Sequence, residues 1–139
     1  ATAEALRGGW RHTGDMGRMD ADGYVTVVNR LNDMIITGGE NVYSAEVETA
    51  LSSHGDVAQA AVIALPDEIW GERVHAVIVA RTGASPSPAD LADHCRKTIA
   101  GFKVPRSFAF VESLPLSGAG KVLKKQLRDE ARLHSRTKD

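Results

Sequence analysis

Two nearly continuous apolar runs, residues 57–65 and 74–80, constrain this chain more than anything else in it. The first reads Val57-Ala58-Gln59-Ala60-Ala61-Val62-Ile63-Ala64-Leu65 and stops at Pro66-Asp67; the second is interrupted only by His75. A half-wet strand would alternate apolar and polar residues, so runs like these read as strands covered on one or both faces. Buried strands need helices over them, and the flanking sequence supplies helix signals. Ser44, with Glu46 and Glu48 close behind, predicts the N-cap of a helix that carries Val47, Ala50 and Leu51 on one face and is closed by Gly55. Ser87-Pro88 predicts a second helix, with Leu91, Cys95 and Ile99 at helical spacing and its end at Gly101. Residues 108–111 read as a third strand, and residues 122–133 as a terminal amphipathic helix rich in Lys and Arg.

Ahead of these lies a turn-and-strand pattern over residues 9–29. Asp20-Ala21-Asp22-Gly23 is a turn signal, and Tyr24-Val25-Thr26-Val27-Val28 is β-branched enough for a strand. Polar residues 29–33 follow, then a short strand, Met34-Ile35-Ile36-Thr37, stopped by Gly38-Gly39. The expected fold class is α+β: a short sheet of about three strands plus a hairpin, flanked by helices.

Composition excludes several function classes. With 17 Lys and Arg against 18 Asp and Glu, the net charge is −1, which removes the electrostatic footprint of a nucleic-acid or anionic-membrane binder. The longest unbroken apolar run, Ala60-Ala61-Val62-Ile63-Ala64-Leu65, is far short of the roughly 18 residues of a membrane span, and no secretory signal opens the chain. Starting at Ala1 rather than a methionine, the sequence is expected to be a piece of something longer. A single cysteine, Cys95, makes neither an internal disulfide nor a multi-thiolate site and fits a reducing, cytoplasmic compartment. On an apolar helical face it reads as a small buried hydrophobe. Histidines 12, 54, 75, 94 and 134 show no metal-ligand spacing.

Two glycine-rich places remain. Ser117-Gly118-Ala119-Gly120-Lys121-Val122 is not a phosphate-binding P-loop, because Pro115 and Val122 stand where that motif needs Gly and Ser or Thr. On its own residues, Lys121 is either a cation delivered to a ligand on a loop or an ordinary solvated lysine. Thr37-Gly38-Gly39-Glu40 lets a backbone approach something closely, or simply turns.

Taken in order, the motifs Trp10-Arg11-His12-Thr13-Gly14-Asp15, then Asn29-Arg30-Leu31-Asn32-Asp33-Met34-Ile35-Ile36-Thr37-Gly38-Gly39-Glu40-Asn41-Val42-Tyr43, Asp67-Glu68-Ile69-Trp70-Gly71-Glu72-Arg73-Val74, Phe102-Lys103-Val104-Pro105 and Gly120-Lys121-Val122-Leu123-Lys124 are long and correctly spaced. Together they resemble the C-terminal part of the adenylate-forming superfamily, and within it the fatty-acid and aryl acyl-CoA synthetases, over about residues 9–128. The resemblance implies an ATP-dependent acid–thiol ligase that makes an acyl-adenylate and passes the acyl group to CoA, with a small C-terminal domain presenting a different face to each half-reaction. It implies that residues 1–29 end the large N-terminal domain, that 30–33 form the hinge with Asn32 as pivot, and that 34–139 form the swinging domain. Asn32 departs from the family's usual Asp or Lys, but Asn tolerates unusual backbone angles.

The same resemblance assigns roles. Asp15 and Arg30 meet the ribose of ATP, and Lys121 bridges the substrate carboxylate and the α-phosphate. Gly38, Gly39 and Glu40 line the pantetheine tunnel, with Trp70 and Gly71 near it, and Lys103 with Arg106 meets CoA phosphates. ATP with Mg2+ is expected to be held mainly by the N-terminal domain, whose phosphate loop and acyl pocket do not occur in this sequence, so the chain alone is expected to be inactive. Lys121 also lies in a segment similar to a lysine-acetylation site. A free-standing module that holds CoA or a partner without catalysis is the alternative, and an upstream phosphate loop discriminates between the two.

Overall fold

The structure, a computed structural model, describes residues 3, 6–9, 13–30 (backbone only for 28–30) and 33–136. In chain order the strands and α-helices are β1 (Asp15–Met19), β2 (Val25–Arg30), β3 (Met34–Thr37), β4 (Glu40–Tyr43), α1 (Ser44–Ser52), β5 (Val57–Asp67), β6 (Gly71–Ala80), α2 (Pro88–Arg96), β7 (Ser107–Phe110) and α3 (Lys124–Arg136). The class is α+β, as expected, with a larger sheet than expected. Strands β1 and β2 form an antiparallel hairpin of their own; the other five make one sheet ordered β4-β3-β6-β5, with β7 parallel to β6.

The two apolar runs are β5 and β6, an antiparallel pair in register from Val57↔Ala80 to Asp67↔Gly71. Both faces are covered, which is why neither run alternates. Val62, Val74, Ala76 and Ile78 face a core shared with Val47, Ala50 and Leu51 of α1 and with Leu91, Ala92 and Cys95 of α2. Ala61, Ile63, Leu65 and Val77 face a second core closed by Leu114 and by Leu127 of α3. A register shift between Val57 and Gln59 lets Val57 join the first core although it lies three residues before Ala60. Cys95 is fully buried, and burial raises its thiol pKa.

Several expectations are corrected. Strand β4, not among the expected elements, pairs with β3 across Gly38-Gly39, whose φ angles of 57° and 83° make a two-residue turn of the type hairpins favour. Ser44 is not the N-cap of α1: Tyr43 occupies that place without a side-chain cap, and Ser44 is fully buried at the first helical position. Helix α1 ends at Ser52, before Gly55, and α2 ends at Arg96, short of Gly101. The start of α2 is as expected, with the Ser87 hydroxyl accepting from Asp90 N at 3.1 Å and Pro88 in the first turn. Strand β2 runs on through Arg30, two residues beyond the anticipated end.

Candidate functional site

At one end of the large sheet, the β3–β4 and β5–β6 turns come together. Asp67 closes the latter: its Oδ1 accepts from Ile69 N at 2.9 Å and from Trp70 N at 3.0 Å, and these bonds hold the carboxyl below its usual range. The Trp70 carbonyl accepts from Gly38 N at 2.9 Å, next to the Thr37↔Gly71 pair. A Cβ on Gly38 would lie 2.8 Å from Trp70 Cε3, so Gly38 is required both for its φ and for the indole lying on it. The Arg106 guanidinium sits 4.1 Å from the centroid of the Trp70 ring on this exposed platform. Glu72 braces it from below, its Oε2 accepting from Ile36 N at 2.8 Å. Gly38, Gly39, Trp70, Gly71 and Arg106 are thus gathered, and Glu40 follows the turn as the first residue of β4.

Lys103 is placed differently from the expectation of a cation waiting for phosphate. Its Nζ is 3.0 and 2.9 Å from the two carboxylate oxygens of Glu46, across 57 residues of sequence. Any anion meeting it must compete with that pair.

In the hairpin, Asp15 and Arg30 are directly opposite one another in the β1–β2 register. Asp15 N donates to Thr13 Oγ1 at 3.3 Å. Asn32, the expected pivot, lies outside the described residues, as do Trp10, Arg11 and His12.

Lys121 closes a tight loop. Ser117 N donates to Lys121 O at 2.7 Å, Lys121 N donates to Ser117 Oγ at 3.2 Å, and Gly120, at φ 80°, donates to Ser117 O at 2.9 Å. Leu116 and Val122 bridge at its base, and the Lys121 side chain is exposed. It borders a groove of about 750 Å³ shared with Asp33, Glu48, Ala60, Lys124, Lys125 and Arg128. Along β5, Ala60 and Asp67 are seven residues apart, about 23 Å at roughly 3.3 Å per residue. The Lys121 groove and the Gly38–Trp70 platform therefore sit at opposite ends of one sheet.

A polar cluster beside this groove was not anticipated. Lys124 Nζ lies 2.7 Å from Glu48 Oε1, 3.0 Å from Ser44 Oγ and 3.9 Å from Asp33 Oδ2, and Arg128 reaches Asp33 Oδ1 at 3.9 Å. Glu48 Oε1 also accepts from Val62 N on the outer edge of β5 at 2.9 Å. The only sequence signal was a lysine at the first position of a helix whose carbonyl end, not its amide end, favours cations.

Among the described residues no group of three or more His, Cys, Asp or Glu comes together that could hold a metal ion, and no helix is long and apolar enough to cross a membrane.

Comparison with known proteins identifies the family. The chain is 49% identical over 128 residues to a fatty acid–[acyl-carrier-protein] ligase, ScoC, of Streptomyces coeruleorubidus, covering 92% of this chain and 25% of that protein. It is 48% identical to a 2-succinylbenzoate–CoA ligase of Geobacillus kaustophilus (strain HTA426), covering 92% and 26%. The solved o-succinylbenzoate CoA synthetase (MenE) of Bacillus subtilis, in complex with the acyl-adenylate intermediate OSB-AMP, aligns with a TM-score of 0.82 at 39% identity over 90% of this chain and 25% of that one. The chain spans about a quarter of the length of the relatives it matches. With residues 46–121 also matching the family model, the chain belongs to the AMP-binding enzyme C-terminal domain family.

Proposed function

We propose that this chain is the C-terminal part of an ATP-dependent acyl-CoA ligase that activates a carboxylic acid, of the fatty-acid class, as its adenylate and transfers the acyl group to CoA. The observation that carries the reading is the placement of two working ends on one sheet, the Lys121 loop and the Gly38–Trp70 platform. A two-step ligase needs two such ends, because the first half-reaction is substitution at the α-phosphorus and the second at the acyl carbon, and each demands a different set of groups around the same carboxyl.

In the first step the substrate carboxylate attacks the α-phosphate of ATP, and pyrophosphate leaves. Two anions must meet, and the exposed Lys121 ammonium offsets their repulsion as a preorganised point charge. Asp15 accepts from the ribose hydroxyls, with Arg30 opposite it in the hairpin register completing the sugar contact. The Mg2+ that accompanies ATP belongs mainly to the N-terminal domain; the described residues do not fit it.

In the second step the domain rotates about residues 30–33, with Asn32 as pivot, and the other end of the sheet faces the adenylate. Residues 1–29 remain with the N-terminal domain, a division supported by β1 and β2 forming a sheet apart from the five-stranded one. The backbone at Gly38, Gly39 and Glu40, with Trp70 and Gly71, lines the path of the pantetheine arm, and the CoA thiol displaces AMP. Arg106 on Trp70 supplies cationic charge to CoA phosphates, and Lys103 does so when it exchanges its Glu46 partner. The setting is cytoplasmic, and acetylation of Lys121 by a lysine acetyltransferase would silence the first step by removing its charge.

The test is Lys121→Ala in the full-length protein, with the half-reactions measured separately. Pyrophosphate release should fall a hundredfold or more, on the order of 3 kcal/mol, as for other preorganised charges. CoA transfer from supplied acyl-adenylate should change by less than about threefold. Equal loss in both steps would overturn the assignment.

A further inference from the structure

The loop that carries Lys121 is stiff within itself, but stiffness alone does not fix where it sits. Its placement depends on Leu123 and Lys124, immediately C-terminal to it. Leu123 N donates to Pro115 O at 2.9 Å, and Lys124 then turns its ammonium inward onto Glu48, Ser44 and Asp33. Those partners come from separate segments: Asp33 ends the polar tract before β3, while Ser44 and Glu48 lie on α1. Arg128, one helical turn on, shares Asp33. Glu48 in turn holds the outer edge of β5 through Val62 N. Only 16% of the Lys124 side chain is exposed, so the contacts are less screened than a surface pair would be.

We propose that Lys124 is a positioning residue for Lys121: its ammonium holds the base of the Lys121 loop to Glu48 and Ser44 of α1, with Asp33 beside the hinge in ion-pair range, so that rotation at residues 30–33 carries Lys121 as one body with the sheet and helix. The inference rests on the reading of Lys121 as the adenylation cation. A loop tied to α1 keeps its place on the domain, and a point charge must arrive within a fraction of an ångström of the reacting anions to be worth its full effect. Lys125, whose neighbouring position faces the same groove, has no such ties in the contacts that hold Lys124.

The experiment uses the full-length protein with Lys121→Ala, Lys124→Met, the double variant and Lys124→Arg, each assayed for pyrophosphate release and for CoA transfer from supplied acyl-adenylate. Lys124→Met keeps the length and removes the charge. It should lower adenylation kcat about ten- to a hundredfold with KM for ATP moved less than about threefold, and should leave CoA transfer within about threefold. Lys124→Arg should restore most of the adenylation rate. The double variant should be no slower than Lys121→Ala alone, because a residue that acts through another adds nothing once that other is gone.

If the two losses multiply, or if Lys124→Met slows both half-reactions alike, Lys124 is not positioning Lys121 and the proposal falls. Wild-type adenylation in Lys124→Met also overturns it while leaving the Lys121 assignment standing. Unchanged adenylation in Lys121→Ala removes the assignment and the proposal together, and is told apart by that single variant. Should Lys124→Met fail to fold, Asp33→Asn loosens the same tether from the hinge side, with the same selective loss expected at smaller size.

Discussion

Lowering the pH should destabilise this domain through His75, by an amount the structure sets. His75 is 7% exposed on β6, and its Nδ1 lies 2.7 Å from Ser107 Oγ. The same hydroxyl accepts from Arg73 Nε at 3.1 Å, which brings a guanidinium next to the ring. Burial first, and the positive Arg73 second, lower its pKa from the ordinary 6.5 to about 4. Between those values the unfolded chain binds the proton and the folded one does not, so stability falls as pH falls through 6.5 and this contribution is fully lost below about 4. The difference of 2.5 pH units corresponds to about 3.4 kcal/mol in full at about 1.4 kcal/mol per unit, of which about 3 kcal/mol is lost by pH 4. That is a large share of the roughly 5–15 kcal/mol that keeps a domain folded. Urea unfolding of the 139-residue chain at a series of pH values from 7 to 4 measures it, with His75→Asn as the reference that cancels carboxylate titrations in the same window. The wild type should lose about 3 kcal/mol more than the variant over that range. Parallel pH profiles, or an NMR titration of His75 centred near 6.5, would refute the reasoning.

Gly38→Ala should destabilise the chain by about 1–2 kcal/mol, because the new Cβ meets Trp70 at 2.8 Å on a backbone with φ 57°. In the full-length protein it should slow CoA transfer while sparing pyrophosphate release, and a loss confined to adenylation would contradict the placement of the platform. Thr37→Val should raise the urea midpoint by the equivalent of about 1 kcal/mol, since Thr37 Oγ1 is buried without a hydrogen-bond partner among the described residues. A lower midpoint would mean that the hydroxyl has a partner after all.

The parts of the fold that were legible in the sequence are those dictated by neighbours. Residues 57–65 and 74–80 read as strands with covered faces from their own composition, and Ser87-Pro88 as the opening of a helix. Strand β4 escaped because Glu40 and Asn41 are poor strand formers; it exists because Gly38-Gly39 folds it back on β3, a hairpin signal that was present and was taken for a plain stop. Ser44 misled for the opposite reason. Its local signature is that of a cap, but its hydroxyl is 3.0 Å from an ammonium 80 residues away, and nothing near Ser44 in the sequence announces that partner. The Lys103 pairing with Glu46, 57 residues away, was equally invisible in the sequence. At the site, ordered motifs marked Lys121, the Gly-Gly turn and Arg106, whereas the contacts made by Asp67, Glu72 and Lys124, and the stacking of Arg106 on Trp70, had to be seen in three dimensions.

Those fixing contacts share a physical logic. Strand β6 divides one edge between β3, which meets it at Gly71, and β7, which meets it at residues 75–78, leaving the stretch between without a partner strand. Glu72 and Arg106 fill it: the Glu72 carboxylate takes Ile36 N, and Arg106 N donates to Val74 O at 2.9 Å. At the other end, Glu48 takes Val62 N on the outer edge of β5. Glu72 thus satisfies an amide inside the sheet where β3 and β6 part, and Glu48 satisfies one on the open edge of β5, where an unpaired amide would invite another strand. Glu48 also holds Lys124, next to the Lys121 loop. The cores could not do this, because Val, Ile and Leu hold layers together without specifying where an exposed loop comes to rest. The result is a rigid centre with separately pinned loops: the apolar strands supply the first, and Glu72, Glu48 and the Arg106 backbone supply the second.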